Sequence, residues 1–239
     1  MSLNGQKVII MGGTSGIGFA TAKAAVAAGA DVIITGRNAE KLNKALTDIS
    51  EHVTGETVDA TSSEALKSFY QRSGQFDHLV LAVSGGKGMG PFAQLDFVAL
   101  RQGFEAKFWA QVNALQAGLG NLRAGGSIVF ITAGSARAAL PGTSGLAAIN
   151  GALEAMVPTL ALELKPTRVN AVSPGVVATP WWDRVPLEQR EAIFAQTAQS
   201  LPVGRVGQPE DVAQVILLLL QNGFMTGSII ECDGGARIK

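Results

Sequence analysis

Cysteine is almost absent from this 239-residue chain, with Cys232 the only one. A single cysteine excludes an intrachain disulfide framework and a multi-cysteine zinc site. It suits a reducing compartment, so a cytoplasmic location is expected. Tyrosine is as scarce, with Tyr70 alone. The two histidines, His52 and His78, stand apart from each other and from any carboxylate cluster, so both are expected to be structural. Charged residues make up 16% of the chain, against about 25% for an average soluble protein. The 19 basic and 19 acidic residues cancel, which argues against a nucleic-acid binder or an acidic-membrane binder. The longest apolar run near the C-terminus, residues 215–220, is too short to span a bilayer. Residues 8–11 run straight into Gly12-Gly13, which reads as a strand and turn rather than a cleavable leader. No internal repeat or low-complexity linker divides the chain, so residues 1–239 read as one domain.

What the chain does have is apolar residues, at 47%, and glycine, at 29 positions. That glycine share is nearly double the usual 7% or so. An apolar, glycine-rich, charge-poor chain fits a buried parallel sheet with tight turns. Strands are expected at Lys7–Met11, 31–35, 56–59, 78–83, 127–132, 168–173 and 228–232. Between them, helical patterns cover 18–28, 38–51, 62–73, 97–122, 144–164 and 209–221. Gly29 is placed to end the first helix and Pro209 to start the last. Strands alternating with helices of this length mean βαβ units. With right-handed crossovers they give an α/β fold, a single Rossmann-type doubly wound parallel sheet of about seven strands with helices on both faces. Ligands of such sheets sit at the carboxyl ends of the strands.

After the first strand comes Gly12-Gly13-Thr14-Ser15-Gly16-Ile17-Gly18, with spacing G-x-x-x-G-x-G, and then a helix. Glycines admit a pyrophosphate to the backbone, and the helix N-terminus offers N–H donors and positive potential. An ordinary glycine-rich turn is the competing reading. The second strand ends in Thr35-Gly36-Arg37, with no acid directly after it. An acid there would hold a ribose 2′-hydroxyl, whereas the fork of Arg37 matches a 2′-phosphate. NADP(H) is therefore favoured, with NAD(H) possible.

At this point the chain resembles the short-chain dehydrogenase/reductase family over nearly its whole length. Beside the glycine motif, Asp59 follows Thr57-Val58 where the family places an aspartate on the adenine. Ala82-Val83-Ser84-Gly85 stands where the family often has Asn-Asn-Ala-Gly. Ser173-Pro174-Gly175, with Val177 and Thr179, looks like its nicotinamide loop. Leu201-Pro202-Val203-Gly204-Arg205, then Pro209-Glu210-Asp211 and Asp233-Gly234-Gly235, look like its C-terminal signature. The resemblance implies a substrate lid around residues 177–205. It also implies association of the two long helices into a homo-oligomer, a tetramer or dimer. Their apolar residues on more than one face point the same way.

The resemblance breaks at the catalytic residues. The family usually works with Asn, Ser, Tyr and Lys, where tyrosine moves the proton and lysine lowers its pKa and binds ribose. No Tyr-x-x-x-Lys exists in this chain. The family's register puts Ala133 at the serine, Leu146 and Asn150 at the tyrosine and lysine, and Lys107 near the asparagine. Leucine cannot transfer a proton. One reading keeps an oxidoreductase acting on a carbonyl/alcohol pair with a rebuilt site. Lys107 is then the acid–base group, its pKa lowered by burial, and Asn150 bonds the ribose. Thr132, Ser135, Thr143 and Ser144 are candidates to orient the carbonyl, Ser135 foremost. The other reading is an NADP(H)-binding sensor or scaffold that has lost hydride transfer. Lys107 would then be a surface or interface lysine. Trp181 and Trp182 form an apolar wall for the substrate or pack within the lid. Residues 85–90 read as a flexible loop, and Cys232 as a small buried hydrophobe.

Overall fold

Apolar residues run without alternation through Val8-Ile9-Ile10-Met11 because both faces of this strand are covered. In the computed structural model, which describes residues 2–49 and 52–238, seven strands form one parallel sheet. They are β1 (Lys7–Met11), β2 (Asp31–Gly36), β3 (Val53–Thr57), β4 (Phe76–Leu81), β5 (Leu122–Ile131), β6 (Arg168–Pro174) and β7 (Ile229–Cys232). Their order is β3-β2-β1-β4-β5-β6-β7. The helices are α1 (Gly16–Ala27), α2 (Ala39–Ile49), α3 (Ser63–Ser73), α4 (Phe97–Phe104), α5 (Ala110–Gly118), α6 (Ser144–Glu163), α7 (Leu187–Ser200) and α8 (Pro209–Gln221). This is the doubly wound Rossmann-type sheet expected from the sequence.

Side chains leave a strand on alternate faces. Val8 and Ile10 join a core with Ala22 of α1, Leu42 of α2 and Ile216 of α8. Ile9 and Met11 join a second core with Phe69 of α3, Ala114 of α5 and Leu153 of α6. Each fully buried aliphatic side chain contributes about 1.5–3 kcal/mol. Local signals set the helix ends. The Ser62 side chain accepts from the Ala65 amide at 3.2 Å. At α8, Pro209 opens the helix behind a reciprocal cap between Gln208 and Asp211. Helix α6 is long and apolar enough in composition to cross a membrane, but its Ile149, Leu153 and Val157 are buried within this fold.

Several boundaries depart from expectation. The stretch 97–122 is not one helix: α4 passes into a π-helical turn at Glu105–Trp109, then α5, and Leu122 already belongs to β5. Helix α5 ends at Gly118, packed on the ring of Tyr70, where any Cβ would clash. Strand β3 is Val53–Thr57, so Val58 and Asp59 lie beyond it, with the Val58 amide bonded to Gly36 O at 3.0 Å. Helix α7 occupies the expected lid region and shows no buried residue to announce itself. The expected end of the second helix, residues 50 and 51, lies outside the described residues. Phe97, Val98 and Leu162, on the two stretches expected to associate between subunits, are 56%, 60% and 73% exposed in the single chain.

His52 has one carboxylate near it, Asp31, with Nδ1 3.6 Å from Oδ1. One smaller expectation is corrected. Cys232 is half-buried rather than fully buried.

Candidate functional site

The strand order reverses between β1 and β4, and there a cleft of about 550 Å³ opens at the carboxyl ends of the strands. Apart from Gly13 and Ser144, the residues named above for cofactor or catalysis line it. From the β1–α1 turn come Gly12, Thr14, Ser15, Gly16, Ile17 and Gly18, and from the ends of β2 and β3 come Arg37 and Asp59. Ala82, Val83, Ser84 and Gly85 follow β4, and Pro174, Gly175, Val177 and Thr179 follow β6. Lys107, Ser135 and Asn150 complete the set. Tyr70 is elsewhere, sealed in the core beneath α3 between Phe69 and Phe76, where burial pushes its phenol pKa up. It is no substitute for a tyrosine in the cleft. Ser144 does not line the cleft, and the Thr143 hydroxyl is bonded to Leu140 O at 2.7 Å.

On the β1 bank the backbone does the shaping. Gly18 packs against its own loop: a Cβ there would lie 2.2 Å from Gly12 O. Gly12 adopts φ +88°, a left-handed conformation natural to glycine, and lies against Ala82. Asp59 is held below the usual carboxylate range by hydrogen bonds from the Thr61 amide and hydroxyl. Arg37 shares its end of the cleft with Lys41, a second cation that the sequence reading passed over.

On the β5 and β6 bank the side chains do the shaping. The π turn Glu105–Trp109 carries one buried residue, Lys107. A π turn widens the helix by one residue and re-aims a side chain, which is why such turns gather at functional sites. Lys107 is 8% exposed. Its Nζ donates to Thr132 O at 3.0 Å, its only hydrogen bond among the described residues. Burial pulls its pKa down to about 8, opposed by the charge of Glu154. The reading of Lys107 as a surface lysine is thereby corrected. Gly85 admits this turn: a Cβ on it would meet that of Ala106 at 2.8 Å. The loop 85–90 is threaded between helices, with Lys87 O against Gly103 of α4 and Gly88 O against Gly145 of α6. It is wedged in place rather than free.

Leu146, Asn150 and Glu154 follow one another at four-residue spacing on one face of α6. Asn150 Nδ2 donates to Leu146 O at 2.8 Å and to Ser135 Oγ at 3.3 Å. Its Oδ1 is buried without a partner, as is Ser173 Oγ. Glu154 was not foreseen, although its helical spacing from Asn150 was there to be read. Its Oε1 accepts from Thr132 Oγ1 at 2.8 Å, so that hydroxyl is committed to Glu154. Its Oε2 accepts from Arg137 Nε at 2.8 Å. Arg137 continues to Glu231, 3.2 Å away, and Glu231 to Arg237. Arg137 sits in a loop without periodicity, and no local signal marked it.

The cleft fits a dinucleotide. Glycines clear one bank, Arg37 after β2 and Lys41 on α2 line the cleft with cations, and buried side-chain oxygens of Asn150 and Ser173 lack partners among the described residues. Unpaired buried polar atoms of this kind are costly unless a ligand or water meets them. Fold and cleft together define a Rossmann-type protein built to hold a dinucleotide.

Comparison with known proteins makes the class specific. A family model described as enoyl-(acyl carrier protein) reductase matches residues 12–237. The short-chain dehydrogenase/reductase ATR9 of Stachybotrys chlorohalonatus is 32% identical, covering 100% of this chain and 99% of the relative. A small-chain dehydrogenase solved in complex with NADPH is 32% identical, with TM-score 0.83 and 98% and 99% coverage. A short-chain oxidoreductase of Pseudomonas aeruginosa PAO1, described as containing an atypical catalytic center, is 26% identical, with TM-score 0.89 and 98% of both chains covered. The chain belongs to the short-chain dehydrogenase/reductase family of oxidoreductases.

Proposed function

We propose that this protein is an NADP(H)-dependent reductase or dehydrogenase acting on a carbonyl/alcohol pair, with Lys107 moving the proton that tyrosine moves elsewhere in the family. The observation that carries this reading is the buried ammonium of Lys107, set in the cleft with one backbone carbonyl as its partner. A proton donor works best with a pKa near the operating pH, and burial brings Lys107 to about 8. The nicotinamide, when bound, supplies or accepts the hydride. Asn150 Oδ1 accepts from a ribose hydroxyl, and Ser135 orients the substrate oxygen. Arg37, aided by Lys41, meets the 2′-phosphate, and the NADPH complex of the similar dehydrogenase supports that choice. Neutral to weakly polar carbonyls suit the wall made by Met89, Leu140, Leu146, Trp181 and Trp182. The site is thus an atypical one for the family, and the Pseudomonas relative described as atypical supports that reading.

A second reading has its own support. Leu146 and Ala133 both line the cleft, and neither can give or take a proton. A protein that binds NADP(H) as a sensor or scaffold needs no more than this. Titration with NADPH and NADH, followed by absorbance at the reduced-nicotinamide band over a carbonyl panel, separates the two. Turnover that falls at least about 100-fold in Lys107→Met, with NADPH affinity retained, supports the enzyme. Tight binding without turnover in the unaltered protein supports the sensor. We also propose that the chain acts in the cytoplasm as a homo-oligomer joined through the exposed Phe97, Val98 and Leu162; a monomer by light scattering at micromolar concentration refutes that assembly.

A further inference from the structure

The turn after β6 crosses the cleft from one bank to the other. Thr179 packs over Gly16 at the start of α1, where an added Cβ would lie 3.3 Å from the threonine. Two residues on, Trp181 Nε1 donates to Gly85 O at 2.8 Å, on the loop after β4. The chain then coils through a short 3-10 helix, Pro180–Arg184. Arg184 folds back on it: Nε donates to Trp181 O at 2.7 Å, and the guanidinium carbon lies 4.4 Å from the centre of the Trp181 ring. One guanidinium nitrogen takes the place that a side chain on Gly86 would fill.

This guanidinium differs from two others that line the cleft. Arg137 and Arg237 meet carboxylates. Arg184 meets none among the described residues, and its only hydrogen bond there is the one from Nε. The N–H groups of both terminal nitrogens are thus left without a partner among the described residues. Partial burial against Trp181 and Gly86 lowers its pKa, while the residue as a whole stays exposed to solvent at the cleft. A planar fork stacked on an indole and held by one hydrogen bond is preorganised for a two-pronged anion.

We propose that Arg184, held against Trp181 and Gly86, is a receptor for an anionic oxygen group, phosphoryl or carboxylate, lying in the cleft under residues 179–184. The pyrophosphate of a bound dinucleotide brings such a group there, and so does an acidic substituent on the substrate. The proposal deepens the reading of the cleft as a dinucleotide site, and rests on that reading for the pyrophosphate source.

The test compares the unaltered protein with Arg184→Gln and Gly86→Ala. The Cβ of Gly86→Ala would displace the flexible end of Arg184 while leaving the arginine in the chain. Binding of NADPH, of inorganic pyrophosphate, and of benzoate to the NADPH-loaded protein is followed by tryptophan fluorescence. Thermal midpoints check that both variants stay folded. The expected result is a loss of about tenfold or more in affinity for both NADPH and pyrophosphate, the size of one charge-assisted hydrogen bond. Weakening confined to benzoate also upholds the receptor and assigns it to the substrate. Affinities all within twofold of the unaltered protein overturn it. If the unaltered protein binds pyrophosphate but not NADPH, the dinucleotide reading fails, and the pyrophosphate comparison still decides on Arg184.

Discussion

The two banks of the cleft are built by different means. On the β1 bank, Gly12, Gly16 and Gly18 give the backbone its path, and the turn and the start of α1 line the cleft. On the β5 bank, the Lys107 ammonium donates to the Thr132 carbonyl, the Thr132 hydroxyl to Glu154, and Arg137 to Glu154, a network drawn from a π turn, a strand end, a helix and a loop. A backbone device depends on a short run of residues, and it survives wherever those glycines survive. A side-chain device depends on distant partners, and its chemistry can be rebuilt while the fold stays the same. That difference lets the glycine loop and the side-chain network of one fold change independently.

The sharpest way to break this comparison is to damage each bank alone. Lys107→Met is expected to cut turnover by about 100-fold or more while NADPH affinity changes less than about threefold. Gly18→Val is expected to do the reverse at the first step. Its branched side chain would enter the space of Gly12 O, and NADPH binding should fall by about 100-fold or more in titration. Loss of both properties in both variants would mean that the banks are not separable.

The pH dependence sharpens the comparison further. In the proposed role Lys107 gives its proton during reduction, so that rate should fall as pH rises through about 8, and the reverse oxidation should rise over the same range. Stability moves with the same group. Its pKa is about 8 when folded and an ordinary 10.5 when unfolded, so between these values the unfolded chain binds more protons. Burying the ammonium therefore costs stability below pH 8, and the cost is relieved as pH rises from 8 to 10.5. Lys107→Met should accordingly raise stability at pH 7, by an order of about 2 kcal/mol in denaturant titration. A variant that loses activity and gains stability is hard to explain by damage to the fold.

A smaller effect is expected at the far end of the β1 bank. Arg37→Ala should weaken NADPH by about tenfold and leave NADH nearly unchanged. Equal weakening of both cofactors would remove the 2′-phosphate contact from this account. The least effect on the cleft belongs to His78, which is buried away from it between Ser127 Oγ and Gln6 Oε1, each 2.8 Å from a ring nitrogen. Burial pulls its pKa from 6.5 to about 4, so the unfolded chain takes the proton first. Stability should decline as pH falls from 6.5 towards 4, and His78→Gln should flatten that slope without altering NADPH affinity at pH 7.

Legibility followed the same division. The glycine loop, the alternation of strand and helix, and the caps at Ser62 and Pro209 could all be read from adjacent residues, because each acts over a few positions. Asn150 and Glu154 share a helix face at a spacing the sequence displays, yet nothing local says that Glu154 meets the Thr132 hydroxyl. The break of 97–122 into α4, a π turn and α5 was not legible. It answers to the packing of Gly118 on Tyr70 and of Ala106 on Gly85, both contacts with other elements.

By itself the sequence determined the doubly wound sheet, the dinucleotide loop at its first turn, and the absence of a tyrosine able to act. These follow from apolar periodicity, glycine placement and composition, which are properties of the chain alone. The tertiary structure decided that Lys107 is buried at the cleft rather than washed by solvent, that Glu154 stands behind it, and that Arg184 rests in the notch of Gly86. Desolvation and charge coupling exist only once distant segments meet, so a lysine's working pKa and an arginine's missing counter-ion belong to the fold.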